Sequence, residues 1–502
     1  MKLLRLSFLW LSLAVCGRAE VTLAPLFQDH AVLQRDQPVP VWGHATPGEH
    51  VTVAFQGQVV GTTVAADGRW MVYLAALPAS AESADLVVTG ANVITLHDIL
   101  VGEVWLASGQ SNMEWPLKWA VNGPAEVAAA NHPQLRLFSV VHQVASEPAI
   151  TVKGSWQPCT PESVPMFSAI SYFFARDLQK KLGVPVGVIG SYWGGSPIES
   201  WTDSVTLRGT KAWPEIDDRW QKSLPGSAEY AERYPAVRAA WGVAEEHAIA
   251  THTKNPLKWP MPPMGKGTPF EPSGLFNGMI APLQPYALRG VIWYQGEQNW
   301  PRPDAYAELF PTLIRTWRAQ WGEGDFPFYF VQVANYIMAD DPSGRAWARL
   351  RDAQTSALGL PATGMAVTID IGDPKDIHPR NKQEAGRRLA LIAKTQAYGI
   401  PGDFQGPTFT FVTGEKSSLR VHFKHASTGL ISANRPVQSL EIAGADKVFH
   451  PATGKIERDT LVVSSREVKQ PLAVRYAWSN APAANLFNGA GLPAVPFRSD
   501  DW

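Results

Sequence analysis

Five short, nearly continuous apolar runs constrain the fold of this 502-residue chain more than any other feature. They are Glu103-Val104-Trp105-Leu106-Ala107, Val186-Gly187-Val188-Ile189-Gly190, Gly290-Val291-Ile292-Trp293-Tyr294, Phe328-Tyr329-Phe330-Val331-Gln332-Val333 and Met365-Ala366-Val367-Thr368-Ile369. A strand that is apolar on both faces is buried on both faces, and such strands belong to parallel sheets covered by helices. Helical spacing appears between them. From Phe167 to Leu182, residues Ala169, Tyr172, Phe173, Ala175 and Leu178 repeat on one face, with Lys180-Lys181 near the end. The middle of the chain therefore predicts an α/β fold with a parallel sheet.

The flanks read differently. Val51-Thr52-Val53-Ala54-Phe55 alternates and stops at Gln56-Gly57, Asp67-Gly68 marks a hairpin, and Leu86 to Thr89 and Val93 to Leu96 flank Gly90-Ala91-Asn92. Past Asp403 short strands return, among them Phe409 to Val412, Leu419 to Phe423 and Leu461 to Val463. The expected division is a leader over 1–19, an N-terminal β domain over 20–100, a parallel-sheet domain over 101–402 and a C-terminal β domain over 403–502. Both flanks are expected to be sandwich-like. Within the central domain, the charged, Trp-containing stretch from about Gly209 to Pro272 reads as an insertion on the loop side of the sheet.

The leader has a charged start at Lys2 and Arg5, an apolar run from Leu6 to Val15, and small residues in Gly17-Arg18-Ala19 before Glu20. It predicts export, to the periplasm or the medium. Leu13-Ala14-Val15-Cys16 is a lipobox-like alternative, with Val15 a poor fit before the Cys. No later apolar stretch is long enough to span a bilayer. Removal of the leader leaves Cys159 as the sole cysteine, so the exported chain has no internal disulfide. A formal net charge of -1 gives no electrostatic footprint for nucleic acid or an anionic membrane. The 20 Trp residues mostly serve cores and seams, yet a Trp face also suits the C–H face of a sugar ring.

Open parallel sheets bind ligands beyond the carboxyl ends of their strands, and four of the five strand ends carry polar, glycine-containing loops. Gly109-Gln110-Ser111-Asn112-Met113-Glu114-Trp115 sets a serine on a tight turn, where its hydroxyl is exposed and its N–H points at an oxyanion. Ser191-Tyr192-Trp193-Gly194-Gly195-Ser196 lets the Gly195 N–H approach a ligand. Trp293-Tyr294-Gln295-Gly296-Glu297-Gln298-Asn299-Trp300 offers the Gln295 and Asn299 amides and the Glu297 carboxylate, which could orient the loop. Asp370-Ile371-Gly372-Asp373-Pro374-Lys375-Asp376-Ile377-His378-Pro379 places His378 at a helix that Pro379 is expected to open, with Asp376 positioned to hold the ring. Each loop alone also fits a structural part: an N-cap serine, a positive-φ turn, a hydrogen-bonded loop, a capping aspartate. The three Asp and one His of the last loop admit a metal reading, but a second His is missing. Together the four loops supply a nucleophile, oxyanion donors, a base and an acid for acyl transfer without a cofactor.

As a set, Gly109-Gln110-Ser111-Asn112-Met113, Gly194-Gly195, Tyr294-Gln295-Gly296-Glu297 and Asp376-Ile377-His378-Pro379-Arg380 resemble the sialate O-acetylesterase family of the SGNH (GDSL-like) hydrolases. The resemblance implies a flavodoxin-like core, no metal and acetate release through an acyl-enzyme. It implies Ser111 as nucleophile and oxyanion donor, Gly195 and Gln295 as further oxyanion donors, and His378 as base. The wider superfamily sets its acid three residues before the His, where Lys375 stands here. That leaves Asp376, Asp373 or Glu297 for the acid, or a Ser–His dyad. The expected partner is an O-acetylated glycan or sugar: sialic acid first, xylan or xyloglucan as the alternative. A non-catalytic sugar-binding protein on the same fold is the reading from another class.

Overall fold

The computed structural model describes residues 20–224, 228–261 and 263–502. The leader expected over residues 1–19 lies outside them. The fold is mixed α/β, with one large sheet and further β-rich regions. Its core strands are β1 (Val93–Gly109), β2 (His132–Ser139), β3 (Trp156–Cys159), β4 (Val186–Tyr192), β5 (Gly290–Tyr294), β6 (Phe328–Val331) and β7 (Thr363–Ala366). They lie in the order β3-β2-β4-β1-β5-β6-β7. β3 runs antiparallel to β2, and every other neighbouring pair is parallel. Three of the expected apolar runs lie wholly on these strands, while the run from Phe328 continues two residues past β6 and the run from Met365 three residues past β7. β1 sits where consecutive strands change direction across the sheet.

β1 is 17 residues long because it serves two halves of one sheet. Its first half pairs antiparallel with Ser80–Thr89, with Leu86 opposite Leu96 and Val88 opposite Ile94. Val32–Gln34 then joins in parallel opposite Leu100–Gly102. From Glu103 onward β4 takes one edge, and from Trp105 onward β5 takes the other. Burial follows the sequence: intermittent over the antiparallel part, continuous from Ile99 to Gly109. Residue 100, the expected boundary between the first two domains, falls inside this strand.

Seven helices used below are α1 (Ser111–Glu114), α2 (Ala169–Leu182), α3 (Trp213–Ser223), α4 (Ala228–Ala250), α5 (Pro303–Trp321), α6 (Ala346–Thr355) and α7 (Lys382–Gln396). α2 starts where the Ser168 hydroxyl accepts from the Ser171 N–H at 3.2 Å, and ends at Gly183 with φ 67°. α2 and α7 pack side by side against one face, so closely that a Cβ on Gly386 would stand 2.8 Å from the Ile170 carbonyl oxygen. On that face Trp105 meets Phe174 and Tyr329. On the opposite face Trp293 meets Phe310 and Trp317 of α5. Each fully buried aromatic of this kind contributes roughly 2–3 kcal/mol, and together they hold the sheet rigid beneath its loops.

Two four-stranded sheets follow α7. The buried Arg351 of α6 joins them to the core, donating to the carbonyls of Val333 and Ala334 on one side and Ser479 and Asn480 on the other. Cys159 is free and buried, and burial pushes its thiol up to about 12, which makes it inert. Among the described residues no helix is long and apolar enough to cross a membrane.

Candidate active site

β1 ends in a turn that only glycine can make. Gly109 has φ 137°, and a Cβ there would stand 2.1 Å from the Tyr294 carbonyl oxygen of β5. Gln110 donates its N–H to that same oxygen at 2.9 Å. Ser111 then opens α1. The Met113 and Glu114 N–H groups return to the Gln110 carbonyl at 2.8 and 2.9 Å, which leaves the Ser111 and Asn112 N–H groups at the open end of the turn. Gly109→Ala is expected to cost about 3 kcal/mol, from overpacking and the φ penalty together. Thermal denaturation reads this cost, and a variant as stable as the parent would refute the close approach.

The fourth loop brings His378 over this turn. Its Nε2 lies 2.9 Å from the Ser111 hydroxyl oxygen, and both residues are buried. The ring is held flat: Trp115 stacks on it with centroids 5.1 Å apart, and Trp259 lies 4.6 Å away. Burial, together with the positive charges of Lys382 and Arg238, holds the His378 pKa well below the ordinary 6.5. A neutral imidazole bonded to a serine hydroxyl is the arrangement that takes the proton as the hydroxyl attacks a carbonyl.

Asp376 sits in the same loop but does not reach the ring. Its Oδ1 accepts from the His378 backbone N–H at 3.0 Å. Asp373 accepts from the Lys375 N–H at 2.8 Å, and Asp370 pairs with Arg388 at 2.6 and 2.7 Å. Among the described residues no carboxylate lies within ion-pair distance of the His378 ring, and no acidic, histidine or cysteine cluster fits a metal ion. The helix also begins later than Pro379. It starts at Lys382, capped by the Asn381 side chain, which accepts from the Glu384 N–H at 3.2 Å. The Asn381 side chain satisfies a first-turn N–H, which fixes the start there, while the Glu384 carboxylate turns to Arg387 and Arg388.

The second and third loops also reach the Ser111 turn. Gly195 has φ 79° and is buried, and a Cβ on its neighbour Gly194 would stand 3.2 Å from Ser111 Cβ. The neighbouring Gly194 N–H donates to Glu114 Oε2 at 2.5 Å, so Glu114 of the first loop anchors the second. Gln295 is fully buried, and its Nε2 donates to the Ser196 carbonyl at 3.3 Å and to Asn299 Oδ1 at 2.7 Å. Both amide hydrogens are thus committed to loop structure rather than to the Ser111 hydroxyl. Asn299 also takes the Ile198 N–H at 2.9 Å and donates to Glu199 at 2.8 Å. Glu297 reaches the Ser111 turn, where its Oε1 accepts from Asn112 at 2.5 Å; burial raises its pKa.

The insertion folds back over the site. α4 is tied down by Arg380 to Glu245 at 2.7 Å and by Lys118 to Glu246 at 2.6 Å. It packs Trp241 against Trp115 and Trp119, and Trp259 against Trp241. Arg238 lies over the rings of Trp119, Trp241 and Trp259. A cavity of about 340 Å³ opens between Ser111, Glu114, Trp119, His142, Arg238 and Trp259. His142 is stacked on Trp193 at 4.1 Å, completing an aromatic wall. Nothing in the sequence of the insertion marks Arg238 or Trp259 as site residues, since neither lies at a strand end. Arg302 and Arg380, which follow the third and fourth loops, pair with Glu199 and Glu245.

Fold and site together define a class, and the comparisons agree with it: the chain is a carbohydrate esterase. A family model described as "Carbohydrate esterase, sialic acid-specific acetylesterase" matches residues 270–394. A sialate O-acetylesterase of Rattus norvegicus is 31% identical over 95% of this chain and 94% of its own length. The Homo sapiens sialate O-acetylesterase is 30% identical over 94% of this chain and 91% of its own. A crystal structure of a carbohydrate acetylesterase from Xanthomonas citri superposes with a TM-score of 0.81 at 40% identity, covering 96% of this chain and all of that one. The chain belongs to the sialate O-acetylesterase family and is an ester hydrolase.

Proposed function

We propose that this protein is an exported serine esterase that removes O-acetyl groups from carbohydrate through an acyl-enzyme on an SGNH-type core. The contact between Ser111 and His378 carries this reading: a hydroxyl 2.9 Å from a ring nitrogen, in a buried pair drawn from loops on separate strands. Ser111 attacks the acetyl carbonyl while His378 accepts its proton. The oxyanion that forms is met by the N–H groups of Ser111 and Gly195. His378 returns the proton to the sugar oxygen as it leaves. A water then attacks the acetyl-serine, again through His378, and releases acetate. Asp376 fixes the His378 loop through its backbone, so Ser111 and His378 act as a dyad. Gln295, Asn299 and Glu297 shape the floor beneath them.

The core supports the same reading. Taking β1 with β4 to β7 alone, the strand order is 2-1-3-4-5, the flavodoxin-like order expected of an SGNH core. Export rests on the first nineteen residues. The four-domain division at 19, 100 and 402 stays as a reading of the sequence.

An O-acetylated sialic acid is the substrate we favour. Arg238 is the one arginine lining the cavity among the described residues, and no carboxylate there lies within ion-pair distance of it. A sugar carboxylate would supply that partner. The test is acetate release from O-acetylated sialic acid, acetylated xylan and acetylated xyloglucan, with the wild type and Arg238→Ala. The expected result is a preference for the sialate and a KM for it raised about tenfold in the variant, with little change for p-nitrophenyl acetate. Preference for xylan or xyloglucan would replace this substrate with a hemicellulose. No ester hydrolysis on any arm would point instead to a sugar-binding role.

A further inference from the structure

Lys382 is buried to 1% exposure at the first residue of α7, four residues past His378. Its ammonium lies 5.3 Å from the Trp115 ring centroid and 5.9 Å from that of Tyr294, and donates to Asn112 Oδ1. The other end of the Asn112 amide donates twice, to Glu297 Oε1 at 2.5 Å and to the Ile377 carbonyl at 3.0 Å. Asn112 directly follows Ser111, and Ile377 directly precedes His378. A single side-chain amide therefore holds the Ser111 turn and the His378 loop together, with a buried lysine and a buried carboxyl group at its two ends.

A purely structural lysine is costly here, because a buried ammonium loses its hydration and, among the described residues, makes no close ion pair, only a hydrogen bond to an amide oxygen and contact with two ring faces. We propose that Lys382 is a positioning residue of this esterase: through Asn112 it locks the Ser111 turn to the His378 loop. The Lys382–Asn112–Glu297 chain thereby supplies the order that a triad draws from a carboxylate behind its imidazole. The inference rests on the reading of Ser111 and His378 as nucleophile and base. The electrostatics agree with it. Burial lowers the Lys382 pKa to about 7, while Glu297 and Asp376 pull it upward. The positive charge of Lys382 in turn helps keep His378 neutral. Tyr294 from β5 and Arg238 from α4 are the other ionisable groups facing this cluster.

The experiment uses the full chain with p-nitrophenyl acetate and the variants Lys382→Met, Asn112→Ala and their double mutant. The expected result is a kcat about 100-fold lower in each single variant with KM nearly unchanged, as misplacement of reacting groups produces. The double variant is expected to be no worse than the poorer single one, because the two side chains act as a unit. In Lys382→Met the acid limb of kcat moves to higher pH, which a merely structural role would not produce. A kcat within about threefold of wild type and an unshifted acid limb overturn the proposal, as do losses that multiply in the double variant. Should Lys382→Met be recovered unfolded, Asn112→Ala, which only removes atoms, decides by the same kcat criterion. Ser111→Ala is run alongside. If it stays active, the reading of the active site fails; if it is inactive while Lys382→Met and Asn112→Ala are unimpaired, this inference alone fails.

Discussion

Ser111→Ala lowers kcat/KM for p-nitrophenyl acetate by about 10⁴-fold or more and abolishes labelling by a fluorophosphonate probe. The size of the effect follows from the chemistry. In the proposed mechanism alanine removes the atom that forms the acyl-enzyme, and leaves in place the proposed oxyanion donors, which account for residual rate. The fold is expected to survive. The hydroxyl's hydrogen bond is to His378 Nε2, so its loss costs about 1 kcal/mol. Circular dichroism and a melting curve separate loss of chemistry from loss of structure. A folded variant that keeps a tenth of the parent rate would remove Ser111 from the mechanism.

His378→Ala gives the second large loss, also about 10⁴-fold. Its stability cost is greater, about 2 kcal/mol, because the space between Trp115 and Trp259 is left empty. That space is ring-shaped, so added imidazole restores part of the rate if His378 is the base; no rescue, with activity near wild type, would dismiss it. The wild-type pH profile is a companion test. The neutral form is competent, and the folded pKa lies well below 6.5. The acid limb of kcat therefore falls well below pH 6.5, where an ordinary histidine would already be protonated. Stability follows the same direction. The unfolded chain takes up a proton near 6.5 and the folded one does not, so the contribution from neutral His378 is complete above pH 6.5 and declines as pH falls towards the folded value. An acid limb centred at 6.5 or higher would contradict the buried, unprotonated ring.

The pairing of Ser111 with His378 was legible in the sequence for a definite reason. Continuous apolar strands allow only a covered parallel sheet, and such a sheet brings its carboxyl ends together. Any chemistry-bearing residue directly after those strands then shares one rim. The same logic located Gly195, Gln295 and Glu297, but not which way their polar atoms face. Asp376 bonds a backbone N–H, and the Gln295 amide turns to Ser196 and Asn299. A two-residue loop separation or an amide rotamer is decided by tertiary packing, which spacing does not encode. Lys382 is the instructive omission. A lysine at a helix start reads as solvated, and only the packing of α7 behind the Ser111 turn buries it. Arg238 and Trp259 were hidden for another reason: an insertion carries no periodicity that says where it folds back. The expected helix start at Pro379 yielded to the Asn381 cap for a purely local reason.

The doubled role of β1 has a consequence for how the chain is made. Its first half finds partners among residues already synthesised, Ser80–Thr89 and Val32–Gln34. Its second half, which ends at the Ser111 turn, pairs with β4 and then with β5, so its last edge is closed only after Tyr294 has been made. During that interval a strand that ends fully buried has an open flank, and distant pairings of this kind form slowly. The N-terminal strands are therefore expected to set β1 in register before the rest of the Ser111 rim is made. A chain that began at Glu103 would keep every residue proposed for the chemistry and lose the element that sets the first of them in place.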